Sequence, residues 1–132
     1  MTLVGRAPCV DGLYRADGTS RLLAVDGPQL SWFEFGLPFN LGGRDDFDVL
    51  EVDSAARAEL PDGGSVCCGE GVLGSDGFFA RTDAEGEPIW IAVLTNSNPF
   101  VRVDVAGSAV RFTNNLGNSL TIDLGDPNLA AA

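Results

Sequence analysis

The chain has 132 residues, with nineteen acids against eight bases and a formal net charge of −11. All eight bases are arginines: Arg6, Arg15, Arg21, Arg44, Arg57, Arg81, Arg102 and Arg111. There is no lysine and no histidine. That absence excludes histidine general bases, lysine Schiff bases, lysine-bearing phosphate loops and histidine-ligated metals.

At this length about two-thirds of the unfolded chain's surface is buried on folding, which suffices for a core without staples. One domain over residues 1–132 is expected, with a tail that frays from about Asp126. The acidic field repels nucleic acid and anionic lipid, so neither is expected as a partner. No apolar run approaches the ~20 residues of a membrane span. The first eight residues lack the charged and long apolar regions of a signal peptide. The cysteines, Cys9, Cys67 and Cys68, are odd in number and two are adjacent. They read as core-filling thiols in a reducing, cytoplasmic compartment, and a Cys67–Cys68 disulfide would strain the chain. No metal or other cofactor is expected. Abundant Ala, Gly, Asp and Arg without Lys fits a GC-rich genome, bacterial or phage.

Asp-Gly occurs five times, at Asp11-Gly12, Asp17-Gly18, Asp26-Gly27, Asp62-Gly63 and Asp76-Gly77. This dipeptide supplies the positive φ angles of tight turns. Between turns, segments with period-two alternation or dense apolar content predict about ten short strands. In chain order they cover Leu13–Ala16, Arg21–Val25, Gln29–Phe35, Phe47–Val52, Ser65–Cys68, Phe78–Thr82, Ile89–Leu94, Phe100–Val105, Ala109–Thr113 and Ser119–Leu124. Asp53–Leu60 reads as a short helical turn capped by Ser54 and stopped by Pro61, although Ala56, Ala58 and Leu60 also alternate as in a strand. The class is all-β: a single-domain antiparallel sandwich or barrel joined by Asp-Gly and Asn-Gly-type turns, with at most one short helix.

The last forty residues specify register. A turn at Gly107-Ser108 sets Val105 opposite Val110, Val103 opposite Phe112, and Asp104 opposite Arg111. In that reading Val101, Val103 and Val105 share one face, and Phe100, Arg102 and Asp104 the other. A three-residue loop, Asn115-Leu116-Gly117, with Gly117 left-handed, sets Thr113 opposite Ser119, Phe112 opposite Leu120 and Val110 opposite Ile122. Ile89–Leu94 has no polar residue and reads as a central strand covered on both faces.

Several constellations could carry function. The stretch Asp45-Asp46-Phe47-Asp48 projects carboxylates from a strand beside the loop Leu37–Arg44, whose Pro38-Phe39 tip is followed by Gly42, Gly43 and Arg44. Carboxylates beside an apolar loop suit a basic partner surface. In Trp32-Phe33-Glu34-Phe35, inward Phe33 and Phe35 leave Trp32 outward, able to anchor an interface or stack on a sugar. Asn96, Asn98, Asn114, Asn115 and Asn118 lie in turns that would share one end of a sandwich. Val52-Asp53-Ser54-Ala55 resembles the apolar-Asp-Ser/Thr-Gly element of aspartic proteases over four residues, with Ala55 where that family has Gly. The resemblance implies a pair of carboxylates sharing a proton.

With no catalytic base in the chain, the expectation is a non-catalytic protein-interaction module. Its specific form is an acidic inhibitor or immunity-type protein that docks on a basic patch of another protein. The expected contact residues are Asp45, Asp46, Asp48, Phe39, Arg44 and Trp32. The alternatives are a structural or decoration subunit of a phage or bacterial assembly, a carbohydrate-binding module, and a carboxylate-only hydrolase.

Overall fold

The computed structural model describes residues 7–8, 11–16, 19–39, 49–50, 52–71 and 75–125. Among these residues all regular structure is strand: β1 (Ala7–Pro8), β2 (Gly12–Arg15), β3 (Ser20–Val25), β4 (Phe33–Phe39), β5 (Val49–Leu50), β6 (Val52–Glu59), β7 (Ser65–Gly71), β8 (Gly77–Thr82), β9 (Pro88–Leu94), β10 (Phe100–Ala106), β11 (Ala109–Asn114) and β12 (Ser119–Asp123). Seven strands form one antiparallel sheet in the order β4-β3-β2-β9-β8-β7-β6. Three form a second, β10-β11-β12, and β1 pairs with β5. The all-β, sandwich-like reading is correct. No helix among the described residues is long and apolar enough to cross a membrane.

The C-terminal hairpins follow the expected registers. Val103 pairs with Phe112, Asp104 with Arg111 and Val105 with Val110. Phe112 pairs with Leu120, Val110 with Ile122 and Thr113 with Ser119. Gly107 (φ 63) and Gly117 (φ 86) supply the positive angles that close the two turns. The face assignment of β10 needs one correction. A register shift between Phe100 and Arg102 lets Phe100 turn fully inward while Val101 is 47% exposed. A bulge of this kind reverses the alternation at one point and leaves the rest of the ladder intact.

The core lies between the two sheets. Phe79 of β8 stacks on Phe112 of β11 with centroids 4.5 Å apart and an interplanar angle of 24°. The same ring meets Trp90 of β9 edge-on at 6.0 Å and Phe100 of β10 edge-on at 5.6 Å. Leu13, Leu23, Val66, Cys68, Ala92 and Leu94 complete the large sheet's side of this cluster, and Val110, Leu120 and Ile122 the small sheet's side. A second buried layer lies outside this cluster. Tyr14, Phe78, Ala80, Ile91 and Val93 are buried, yet alternate along their strands with the core residues Leu13, Phe79 and Ala92. The ladder aligns them in two rows, Cys67-Ala80-Ile91-Tyr14 and Gly69-Phe78-Val93-Gly12. β9, at the centre of the sheet, is thus buried on both faces from Trp90 to Leu94, as its uninterrupted apolar run predicts.

Three expectations fail. Asp53–Leu60 is strand β6 and not a helical turn. It pairs with β7 from Val52↔Gly71 to Glu59↔Ser65, and its alternation wins over the Ser54 cap because the exposed edge of β7 offers a full ladder of hydrogen bonds. Asp53 therefore sits in register with Glu70 in a strand ladder. The third expected strand starts late: residues 26–31 form a turn in which the Ser31 backbone N–H and hydroxyl both donate to Asp26, and β4 runs on to Phe39. Phe39 consequently closes a strand instead of tipping a loop. The expected fraying tail beyond residue 125 lies outside the described residues.

Gly77, at the start of β8, packs tightly against the loop that leads into β10. A Cβ there would lie 2.5 Å from the Asn98 carbonyl oxygen and 2.8 Å from both Phe100 and Ser97. Gly77→Ala is expected to destabilise the fold by about 1–3 kcal/mol, read from urea unfolding, because backbone blocks the added methyl. An unchanged midpoint would contradict this packing.

Candidate functional site

The β3–β4 ribbon, at one edge of the large sheet, carries three of the six large exposed apolar side chains among the described residues, Leu22, Trp32 and Leu37. Phe33 and Phe35 pack inward against the core with rings 5.8 Å apart, edge to face. Arg21 ties the ribbon together: its Nε donates to the Gly36 carbonyl at 3.1 Å, and its guanidinium carbon lies 5.6 Å from the Phe35 ring centroid. With alternate residues fixed inward, Leu22, Ala24, Trp32 and Glu34 face outward and are exposed. Trp32 is 49% exposed, Leu22 43% and Leu37 77%. Gly36 lies against Leu22, where an added Cβ would come within 3.1 Å of the Leu22 Cβ, so the missing side chain leaves room for this leucine.

Away from the ribbon, four described arginines are held in ion pairs. Arg57 pairs with Glu59, Arg81 with Asp62, and both Arg102 and Arg111 with Asp104. Hydrogen bonding from Arg102 holds the Asp104 carboxyl below its ordinary value, and the neighbouring arginine charges act the same way. A depressed carboxyl pKa stabilises the fold above the unfolded value, and that stabilisation is lost as pH falls through the folded value. The Ser31 hydroxyl similarly keeps Asp26 ionised, at the end of the ribbon that carries Trp32. These arginines are thus paired internally, and the ribbon presents Asp26 and Glu34 beside Trp32.

The Asn-rich turns do meet at one end, but as a structural clip. Asn114 is buried; its Nδ2 donates to the carbonyls of Pro28 (2.6 Å) and Ser97 (2.9 Å), and its Oδ1 accepts from Leu116 and Asn118. Asn118 donates to the same Pro28 carbonyl, and Asn98 pairs with Asn115 at 3.2 Å. Asn98, placed before Pro99, takes φ 63 instead of the extended backbone that proline favours. Its N–H donates to the Ser75 carbonyl at 2.8 Å, which helps to hold that conformation. Amides committed in this way leave little hydrogen-bonding capacity for a sugar.

The two described thiols are buried, and Cys68 is poorly suited to nucleophilic chemistry. Cys67 and Cys68 are buried, point to opposite faces of β7, and are not joined in a disulfide. Burial pushes the Cys68 thiol up to about 12, so it stays protonated at neutral pH. Among the described residues no group of three or more Cys, Asp and Glu is arranged to hold a metal.

Of the six expected contact residues, Trp32 is exposed as expected, and Phe39 is described only as the last residue of β4. Arg44, Asp45, Asp46 and Asp48 lie outside the described residues. Sequence reasoning missed Leu22 and named Leu37 only as the start of the candidate loop Leu37–Arg44. Leu22 was legible, because inward Leu23 and Val25 force it outward. Comparison with known proteins returns no matching family model, no matching curated protein and no matching solved structure.

Removing the Asn114 amide would strand the Ser97 carbonyl and the backbone N–H groups of Leu116 and Asn118, and leave the Pro28 carbonyl with Asn118 as its one side-chain donor among the described residues. Asn114→Ala is expected to cost about 2–3 kcal/mol in chemical unfolding, while Asn115→Ala, in an exposed position, costs well under that. Equal effects would argue against the clip.

Proposed function

We propose that the protein is a non-catalytic interaction module whose β3–β4 face docks on a basic surface of another protein, in the manner of an acidic inhibitor or immunity-type protein. The observation that carries this reading is the half-exposed Trp32, which immediately precedes β4 beside Asp26, with Glu34, Leu22 and Leu37 exposed further along the same ribbon. An aromatic anchor with apolar neighbours supplies contact area at low entropic cost. Indole also takes a cationic side chain on its face. The net charge of −11 would speed and orient the encounter with a positively charged partner. The residues Arg44, Asp45, Asp46 and Asp48 follow β4 in sequence and would extend the acidic side of the same contact.

The test is retention of a partner from the source cell on the immobilised full chain, followed by affinity measurement with the purified partner. Trp32→Ala is expected to weaken binding by tenfold or more, in line with a hot-spot loss of about 2 kcal/mol. Raising salt is expected to slow association. Binding indifferent to Trp32→Ala, to salt and to Asn at Asp45, Asp46 and Asp48 would sink the reading.

A further inference from the structure

Asp76 stands out from every other described acid. It is 1% exposed, and neither carboxylate oxygen has a hydrogen-bond partner among the described residues. An ionised carboxylate stripped of water and of donors is costly enough that native proteins supply a counter-charge or donors. The turn role of an Asp-Gly pair does not account for it. At Asp26-Gly27 and Asp62-Gly63 the glycines take φ 133 and φ 89, and both aspartates accept backbone N–H groups. Gly77 and Gly12 have no such angle, because they begin strands β8 and β2.

These two strand-starting pairs flank one residue. Gly77 pairs with Leu94 as the last pair of the β8–β9 ladder, so Asp76 and Thr95 are the next residues beyond it on the two chains. Asp11, preceding β2 on the other side of β9, accepts the Thr95 N–H at 2.9 Å. Ser75 donates its hydroxyl to the Thr95 carbonyl at 3.1 Å. Ser75 and Asp11 are thus both bonded to Thr95 at the end of β9, Asp76 follows Ser75 directly in the chain, and no described arginine is paired to Asp76.

We propose that Asp76 anchors a binding site for a hard metal cation, with Ca2+ as the favoured ion, completed by oxygens of Ser75 and Thr95 and supported by Asp11. Such ions take carboxylate, hydroxyl and carbonyl oxygens, and affinity scales with the number of charged ligands. One fully buried carboxylate with mostly neutral neighbours places the site in the weak class, with dissociation constants of about 10⁻⁴–10⁻³ M. The site is separate from the β3–β4 face, and its existence does not depend on the docking reading.

The experiment is thermal unfolding of the full chain, first in chelator and then with millimolar CaCl2, for the wild type and Asp76→Asn. Binding to the native state alone raises the midpoint, and a rise of about 5 °C is expected for the wild type. Asp76→Asn is expected to lose that rise and, in chelator, to melt no lower than the wild type, because the amide keeps the side chain's shape where the carboxyl makes no hydrogen bond. No wild-type rise would overturn the proposal. An equal rise in Asp76→Asn would also overturn it, by assigning the effect to general screening of the acidic surface. If the variant fails to fold, backbone amide NMR of the wild type decides. Ca2+-dependent shifts confined to residues 11, 75–77 and 95–98 support the site, and shifts spread over the acidic surface overturn it.

Discussion

The stacking of Phe79 on Phe112 is the contact on which the rest of the structure depends. A seven-stranded and a three-stranded sheet share no ladder hydrogen bonds, so side-chain packing carries most of the joint, beside loop bonds such as that from the Asn98 N–H to the Ser75 carbonyl. Phe79 reaches from β8 into a cage of Phe100, Phe112 and Trp90, contacting both partners from the small sheet and one from its own. The bulge at Val101 is part of the same arrangement. Without it Phe100 would turn to solvent and the cage would lose a wall. Gly77 is a further element, since only a bare backbone lets β8 approach the Asn98 loop closely enough for Phe100 to seat.

From that joint the surface chemistry follows in steps. Burial of β9 on both faces makes the middle of the large sheet a rigid plate. The plate extends through β2 and β3 to β4, at the edge of the order. There the inward phenylalanines and the Arg21 bond to Gly36 fix the ribbon, and the alternation of a strand decides the outcome: Trp32, Glu34, Leu22 and Ala24 have only the outer face available. An exposed tryptophan here is a consequence of register, and register is set by the core. Asp26 lies beside Trp32, and Glu34 follows two residues on, along a ribbon that also carries Arg21.

Much of this was legible in the residues, and the failures have physical causes. The β10-β11-β12 registers could be derived because a one-residue slip would set valines against charges and because Gly107 and Gly117 mark the turns. The outward direction of Trp32 followed from alternation alone. Asp53–Leu60 was misread because alanine, arginine and glutamate favour helix locally, while pairing with β7 is a long-range reward that propensity does not contain. The start of β4 was misplaced because the Asp26–Ser31 bond, which holds the preceding turn, is a side-chain choice that any Asp-x₄-Ser spacing leaves open. Asp76 was hidden by its own motif: Asp-Gly signals a turn, and only the tertiary fold makes this copy begin a strand. The role of Asn114 was half visible, since its turn was expected but its reach to Pro28 spans 86 residues.

The central claim is that a specific aromatic contact couples the two sheets. A double-mutant cycle with Phe79→Leu, Phe112→Leu and the combined variant, followed by urea unfolding, tests it most directly. The stacked geometry predicts a coupling energy of about 1 kcal/mol, so that the double variant loses less than the sum of the single losses. Strict additivity would contradict the account, because it would mean that the two rings contribute independently and that the sheets are not joined through their contact.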